Sequence, residues 1–434
     1  MKRALATILV LIAPGLILGQ GLNFTDYSYP IEHRPSSIAS ADFDADGDID
    51  LAACGGVGVT VFFNDGQGFY KENLVIDSHQ NPQTIRAADM DGDGDMDLVT
   101  EHFNQGRVLV FKNFGDGTFD DYETTLISSG NTNGLAVGDF DGDSDMDVAT
   151  TTLGSSFFEP GFTIILFNNG DGSFADEVTH PVGNVPFGVK AANVDNDEFM
   201  DLVVWNLEYD NGLILVSNTV EILRNKGDGT FVSQSEFATG GNASVILSVA
   251  DLDGDSAVDL VTANAVSGDL SIIVGNGDGT FQAPLLLPFE SGVPQEIVTA
   301  DIDGDSDFDI VVACSDADTL TFLTNDGNGG FELDSSAIYG DIPVGLVAAD
   351  FDGDGKDDIA AGYSGSDEVV TLFVDCDNFV LGDTNGDSEF DLADIGSFID
   401  VVTSGTYRPE ADINMDGFVN LSDVEPFVDL IVGS

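Results

Sequence analysis

Short runs of alternating apolar and polar residues recur along this chain in groups of four. The first run of each group is small and aliphatic, as in Ile85-Arg86-Ala87-Ala88 and Leu346-Val347-Ala348-Ala349. The second leaves an acidic loop: Asp97-Leu98-Val99-Thr100, Asp201-Leu202-Val203-Val204, Asp309-Ile310-Val311-Val312. The third alternates, as in Val108-Leu109-Val110-Phe111, Val220-Glu221-Ile222-Leu223 and Leu270-Ser271-Ile272-Ile273. A Gly-Asp-Gly-Thr turn follows at 227–230 and again at 277–280, and a fourth run opens on Phe119, Phe174, Phe231, Phe281 or Phe331. Period-two alternation bounded by glycine and Asp-Gly pairs predicts strands joined by tight hairpins. Small residues in the first run suit an inner strand crowded around an axis. Four antiparallel strands in a repeat of about 50 residues predict a propeller blade.

The loop between the first and second runs has its own pattern. Asp89-Met90-Asp91-Gly92-Asp93-Gly94-Asp95-Met96-Asp97-Leu98 reads D-x-D-x-D-G-x-x-D and then an aliphatic residue. Oxygen side chains every second residue, then one more after a tight turn, wrap a short loop around one hard cation. Positions one, three and five supply carboxylates, position seven a backbone carbonyl, and position nine closes the shell. Ca²⁺ takes six to eight oxygens in a flexible arrangement, whereas Mg²⁺ demands a strict octahedron and keeps its waters.

Seven copies start at Asp42, Asp89, Asp139, Asn193, Asp251, Asp301 and Asp350, at intervals of 47 to 58 residues. Disorder is excluded by this period and by the apolar runs on either side of each loop. The candidate metal residues of the first two loops are Asp42, Asp44, Asp46, Asp48 and Asp50, then Asp89, Asp91, Asp93, Asp95 and Asp97. The third loop offers Asp139, Asp141, Asp143, Asp145 and Asp147, and the sixth Asp301, Asp303, Asp305, Asp307 and Asp309. The fifth has Asp251, Asp253, Asp255 and Asp259, and the seventh Asp350, Asp352, Asp354 and Asp358. The fourth departs: Asn193 precedes Asp195, Asp197 and Asp201, and Glu198-Phe199 replaces the usual small pair.

The two ends of the array complement each other. The seventh unit has a third run, Val369 to Val374, but no Gly-Asp-Gly-Thr-Phe after it. Near the N-terminus stands an orphan fourth run, Phe24-Thr25-Asp26-Tyr27-Ser28-Tyr29. It is expected to complete the seventh blade and close the ring, leaving no exposed sheet edge.

These units resemble the FG-GAP/VCBS repeats of the integrin α-subunit type of β-propeller, over residues 22–376. The resemblance implies an all-β seven-bladed propeller with calcium in each first hairpin on the lower face and ligand recognition on the opposite face. It places ligands at positions one, three, five and nine, which are Asp42, Asp44, Asp46 and Asp50 in the first loop.

If the metal hairpins face down, the connections between second and third strands face up: Glu101 to Gly106, Thr151 to Gly161, and Asn206 to Asn218. The two longest hold Phe157, Phe158 and Tyr209, with Trp205 just before. Aromatics there can stack on a sugar or anchor a protein. The alternative, that they fold onto the propeller as part of its core, stays open.

After a linker at 377–382 the pattern changes. Residues 383–394 form an EF-hand-like loop, repeated 29 residues later. Asp383, Asn385, Asp387 and Asp394 match Asp412, Asn414, Asp416 and Asp423, and each loop precedes one apolar helical face. Two such units make a domain too small to fold well without metal. The segment 383–434 resembles a type I dockerin, a small all-α EF-hand-like domain, which implies docking to a cohesin-like or cell-surface protein. The recognition pairs of that family fall on Leu392-Ala393 and Leu421-Ser422. Where the family often carries basic helix residues, this chain has Asp400 and Asp429, and a purely structural calcium pair is the other reading. With the seven loops, the chain is expected to hold up to about nine Ca²⁺.

Charge narrows the partners. The formal net charge is −66, with 12 Lys and Arg against 78 Asp and Glu, which excludes a nucleic-acid surface. Such charge strains a compact state, and bound cations offset part of it. Lys2 and Arg3 precede an apolar run from Ala4 to Leu18, which reads as a secretory signal peptide over 1–21. A retained anchor helix is the alternative. No later apolar run is long enough to span a membrane, so the mature chain is expected to be secreted, extracellular or at the cell surface.

Cys54, Cys314 and Cys376 make no disulfide framework, and one pair stays open. His33, His79, His102 and His180 are scattered, with no nucleophile motif beside them, and no carboxylate pair stands out. A non-catalytic recognition protein is the expected class, with a polysaccharide lyase or hydrolase as the alternative.

Overall fold

The computed structural model describes residues 22, 24–56, 58–77, 81–120, 123–127, 130–153, 159–210, 214–289 and 292–374. The signal-peptide reading at 1–21, the dockerin-like reading at 383–434, His79, Phe157, Phe158 and Cys376 lie outside them. Strand β1 (Phe24–Pro30) stands first in the chain. Blade one is β2 (Pro35–Ala41), β3 (Asp50–Gly55), β4 (Gly58–Asn64) and β5 (Tyr70–Asp77). Blade two is β6 (Thr84–Ala88), β7 (Asp97–His102), β8 (Arg107–Phe111) and β9 (Glu123–Leu126). Blade three is β10 (Thr132–Gly138), β11 (Asp147–Thr152), β12 (Pro160–Leu166) and β13 (Val178–Asn184). Blade four is β14 (Pro186–Ala192), β15 (Asp201–Asp210), β16 (Ile214–Asn225) and β17 (Phe231–Ala238). Blade five is β18 (Ser244–Ala250), β19 (Asp259–Asn264), β20 (Asp269–Ile273) and β21 (Leu285–Pro288). Blade six is β22 (Pro294–Ala300), β23 (Asp309–Cys314), β24 (Thr319–Asn325) and β25 (Phe331–Ala337). Blade seven is β26 (Pro343–Ala349), β27 (Asp358–Tyr363) and β28 (Glu368–Val374).

β1 supplies the missing fourth strand of blade seven. It pairs antiparallel with β28, from Phe24 opposite Val374 to Pro30 opposite Glu368. Each sheet buries its faces against its two neighbours rather than against one central core. Seven apolar clusters result, one at each interface. Between blades one and two, for example, Phe43, Val59 and Val61 meet Ile85, Leu98 and Phe111. The inner strands end on Ala41, Ala88, Gly138, Ala192, Ala250, Ala300 and Ala349, so seven strands converge at the axis without crowding.

Two expectations need correction. Most of the stretch from Asn206 to Asn218 is strand: β15 and β16 carry the ladder out to Asp210 opposite Ile214. The β-branched and aliphatic residues Ile214, Leu215 and Val216 favour strand there. The fourth strands also begin later than their phenylalanines in three blades. Phe119, Phe174 and Phe281 make only isolated bridges, to Asn113, Asn168 and Gly275. The ladder resumes at Glu123, Val178 and Leu285. In blade five Pro284 intervenes, and it has no N–H to give a ladder. Cys54 and Cys314 are buried and unbridged.

Candidate metal centres and the axial cavity

Each acidic loop joins the first strand of a blade to its second, so its carboxylates gather at one end of the ring. Among the described residues six clusters each bring three oxygens within 4.8 Å of one another, among them Asp42, Asp44 and Asp50; Asp89, Asp91 and Asp97; Asp139, Asp141 and Asp147; Asp251, Asp253 and Asp255; and Asp301, Asp303 and Asp309. One ion with metal–oxygen bonds of about 2.3–2.6 Å can bridge that spacing. Asp44 Oδ1 and Asp91 Oδ1 are buried and accept no hydrogen bond, as an oxygen kept for a cation would be. The donors are hard oxygens throughout, which suits a hard divalent ion.

Position one holds the loop in shape. Both oxygens of Asp89 accept backbone N–H groups, from Gly92 at 2.8 Å and Gly94 at 3.0 Å. The seventh-position carboxylates go elsewhere. Asp48, Asp95, Asp145 and Asp307 cover the hairpin glycines Gly66, Gly115, Gly170 and Gly327 of their own blades. In the fourth loop Phe199 covers Gly227 in the same way, which accounts for the departure from a small pair there.

Position nine is the keystone of every loop. Asp97 accepts the Met90 N–H at 2.8 Å and the Asn113 N–H at 2.7 Å, one on each oxygen. Asp50, Asp147, Asp201, Asp259, Asp309 and Asp358 repeat the arrangement. Each oxygen keeps a second lone pair for a metal. Burial pushes these carboxyls up, to about 6 for Asp97, Asp201 and Asp259, about 7 for Asp50, Asp147 and Asp309, and about 8 for Asp358. The backbone donors oppose the shift and neighbouring loop carboxylates add to it.

The residue after each third strand is a clamp that sequence reading missed. Asn113 Nδ2 donates to Phe43 O in the preceding blade at 2.7 Å and to Met96 O in its own loop at 3.0 Å. Its Oδ1 accepts the Gly115 N–H, where φ is +73° and a tight turn needs glycine. Asn64, Asn168, Asn225 and Asn325 do the same at four other interfaces. Gly275 and Val374 take the clamp position in blades five and seven. A side chain at Gly275 would run into the carbonyl of Val258, so blade five packs its loop closer there.

Asn113→Ala strands two buried carbonyls and one N–H and is expected to cost about 3–5 kcal/mol of unfolding free energy. Asn169→Ala, whose amide serves an exposed turn, is expected to cost less than about 1 kcal/mol. Equal costs by denaturant titration would contradict the clamp.

The fourth loop is built differently. The Arg224 guanidinium pairs with Asp195 through Nε and reaches Asp197 at 3.4 Å. Asn193 Nδ2 donates to the Asp197 carbonyl. A side-chain cation thus stands among the carboxylates of this loop.

At the other end of the first strands a cavity of about 740 Å³ opens on the axis. Its wall includes Arg86, Lys190 and Glu296, with Phe187 about one-third exposed at 36%. Trp205 also borders it but is buried in the cluster between blades four and five, its ring lying over Gly188. Of the two alternatives left open for the aromatics, core packing is what the geometry gives Trp205. Tyr209 lies in β15, within the stretch expected to be a loop. His33, His102 and His180 sit on different blades. His33 and His102 are tied to Thr60 and Thr100.

A family model described as FG-GAP-like repeat matches residues 42–100, 102–150, 213–262, 251–312 and 301–361. The chain belongs to the FG-GAP-like repeat family. The matched ranges of this FG-GAP chain leave out 151–212, the stretch that holds the Asn193 loop. Comparison with curated proteins finds no match. Among solved structures, one similar chain is an Agrocybe aegerita lectin described as specifically recognising non-reducing terminal N-acetylglucosamine. It shares 19% identity at a TM-score of 0.48, over 73% of this chain and 80% of the other. Another is BBS1N, solved in complex with ARL6DN, at 10% identity and a TM-score of 0.54 over 81% of this chain and 96% of that one. At these identities the likeness is one of fold.

Proposed function

We propose that this FG-GAP propeller is a secreted, calcium-loaded recognition module that binds an extracellular glycan on the face opposite its metal loops. Its C-terminal segment, through Leu392-Ala393 and Leu421-Ser422, docks it to a cohesin-like or cell-surface protein. The observation that carries the reading is the division of labour between the two ends of the inner strands. Acid clusters gather at one end, and a polar cavity with an exposed aromatic ring lies at the other. Calcium fits the clusters best, because their donors are carboxylate oxygens, which Ca²⁺ takes without a strict octahedron. Its charge offsets part of the −66 carried by the chain. The asparagine clamps then couple each filled loop to the next blade, so the ions stiffen the ring that shapes the cavity.

The test is an array of glycans probed with the full chain in calcium and after chelation. Selective binding in calcium that vanishes on chelation is expected. Signals no higher than those of an unrelated acidic protein would reject the glycan reading.

A further inference from the structure

Positive side chains are scarce here, 12 in the whole chain, yet three, Arg34, Arg86 and Lys190, line the axial cavity, and the last two stand at one level of it. Arg86 and Lys190 each lie three residues ahead of the first residue of a metal loop, in blades two and four. The other five blades carry Ala39, Ala136, Ser248, Val298 and Val347 at that level. Five short side chains and two long cations leave room at this level, with positive charge on one side of it. Among the described residues, Glu296 of blade six is the only carboxylate that reaches both cations electrostatically.

The pairing is incomplete. Arg86 Nη1 donates to its neighbouring carbonyl, Ile85 O, at 2.7 Å. Among the described residues Lys190 has no hydrogen-bond or ion-pair partner. Burial pushes the Lys190 ammonium down to about 8, and Arg86 adds to that. Arg34, Glu32 and Asp367 line the same cavity, so the wall as a whole is balanced, but at the level of Arg86 and Lys190 two cations face the single carboxylate of Glu296. Removing charges from water without full pairing is costly, and an incoming anion offsets that cost. The rest of the wall fits a hydroxyl-rich body. Gln83, Asn133 and Gln295 offer amide donors and acceptors, and Phe187 offers a ring face.

We propose that the axial cavity binds a small acidic saccharide, with its carboxylate held between Arg86 and Lys190 and its ring against Phe187. This deepens the glycan reading by naming a site and a ligand class, and it rests on that reading. Glu296 then acts as a selectivity element: it orients the cations and competes with the ligand for them.

The experiment is calorimetric titration of the calcium-loaded full chain with galacturonic acid and its short oligomers, against galactose oligomers of the same length. The acidic series is expected to bind roughly tenfold or more tightly than the neutral one, since a charge-assisted contact is lost in the latter. Arg86→Gln and Lys190→Gln are each expected to weaken the acidic series by a similar factor and leave the neutral series unchanged. Glu296→Gln is expected to strengthen acidic binding, which no folding defect would mimic. Equal affinity for both series, or acidic binding that ignores all three substitutions, overturns the site. Neutral glycans bound without any acidic preference would overturn the site while the broader glycan reading stands. Absence of binding to any glycan on the array would reject both.

Discussion

Stripping calcium from the propeller is expected to lower its melting temperature sharply and to reverse its dependence on pH. Ions that bind only the folded state add RT ln(1 + [L]/Kd) per site, about 1.4 kcal/mol each when calcium is tenfold above Kd. Six such sites would give about 8 kcal/mol, as large as the net stability of many domains. Six is the expected number for the propeller, because Arg224 already fills the fourth loop with its own positive charge. Native mass spectrometry on a variant lacking 383–434 but retaining the rest would count them, and a seventh ion would show that Arg224 is displaced.

The pH reversal follows from the buried position-nine carboxyls. In the metal-free fold they rise to between about 6 and about 8, chiefly through burial, well above the ordinary value of an unfolded Asp near 3.9. The folded state therefore binds protons more tightly than the unfolded state. Its contribution is complete below about pH 4 and is lost as pH rises through 6 to 8. Metal-free protein should thus gain stability as pH falls from 8 towards 5. Calcium-loaded protein should lose it over the same range, because protons compete with the ion for the same oxygens. Thermal melts in calcium and in chelator across this range test the pair of slopes. Parallel profiles, or a melt indifferent to chelator, would sink the metal assignment.

Much of this was legible in the chain because it is written locally. Each loop carries its candidate ligands within nine residues, and the missing fourth strand at one end matched the orphan strand at the other. What escaped reading depends on contacts between blades. The Asn113 clamp spans 70 residues to Phe43, and that of Asn64 spans 287 to Phe351. An asparagine before a Gly-Asp-Gly turn reads as ordinary turn chemistry until the neighbouring carbonyl is in view. Arg224 is likewise an unremarked strand residue until β16 is laid beside the Asn193 loop. The axial charges come from three blades, and only ring closure brings Arg86, Lys190 and Glu296 to one cavity. For Trp205 the chain leaves two readings open, and only the fold chooses between them. An aromatic beside a long connection suggests a ligand platform, but here the connection is strand and the ring packs inward.

Ring closure itself carries the other large expected effect. Deleting residues 22–30 removes β1, whose alternate residues pack on the seam between blade seven and its neighbours. Tyr27 stands edge-on to Phe69 at 4.7 Å and Tyr29 to Tyr70 at 5.2 Å, both in blade one, while Phe24 lies 4.3 Å from Phe322 of blade six. Three half-buried aromatics contribute about 1–2 kcal/mol each, before the ladder to β28 is counted. Their loss takes a large share of a typical net stability of about 5–15 kcal/mol. The deletion also uncovers β28, where all but its first residue are buried in the intact ring. An unpaired, apolar edge of that kind recruits another chain. The truncated protein is therefore expected to melt lower and to run as multimers in size-exclusion chromatography with light scattering. A synthetic peptide of residues 22–30 added in excess should restore the monomer, since it supplies the strand without the covalent link. A truncated chain that stays monomeric and melts with the parent would show that β28 needs no partner and that the seventh blade closes on three strands.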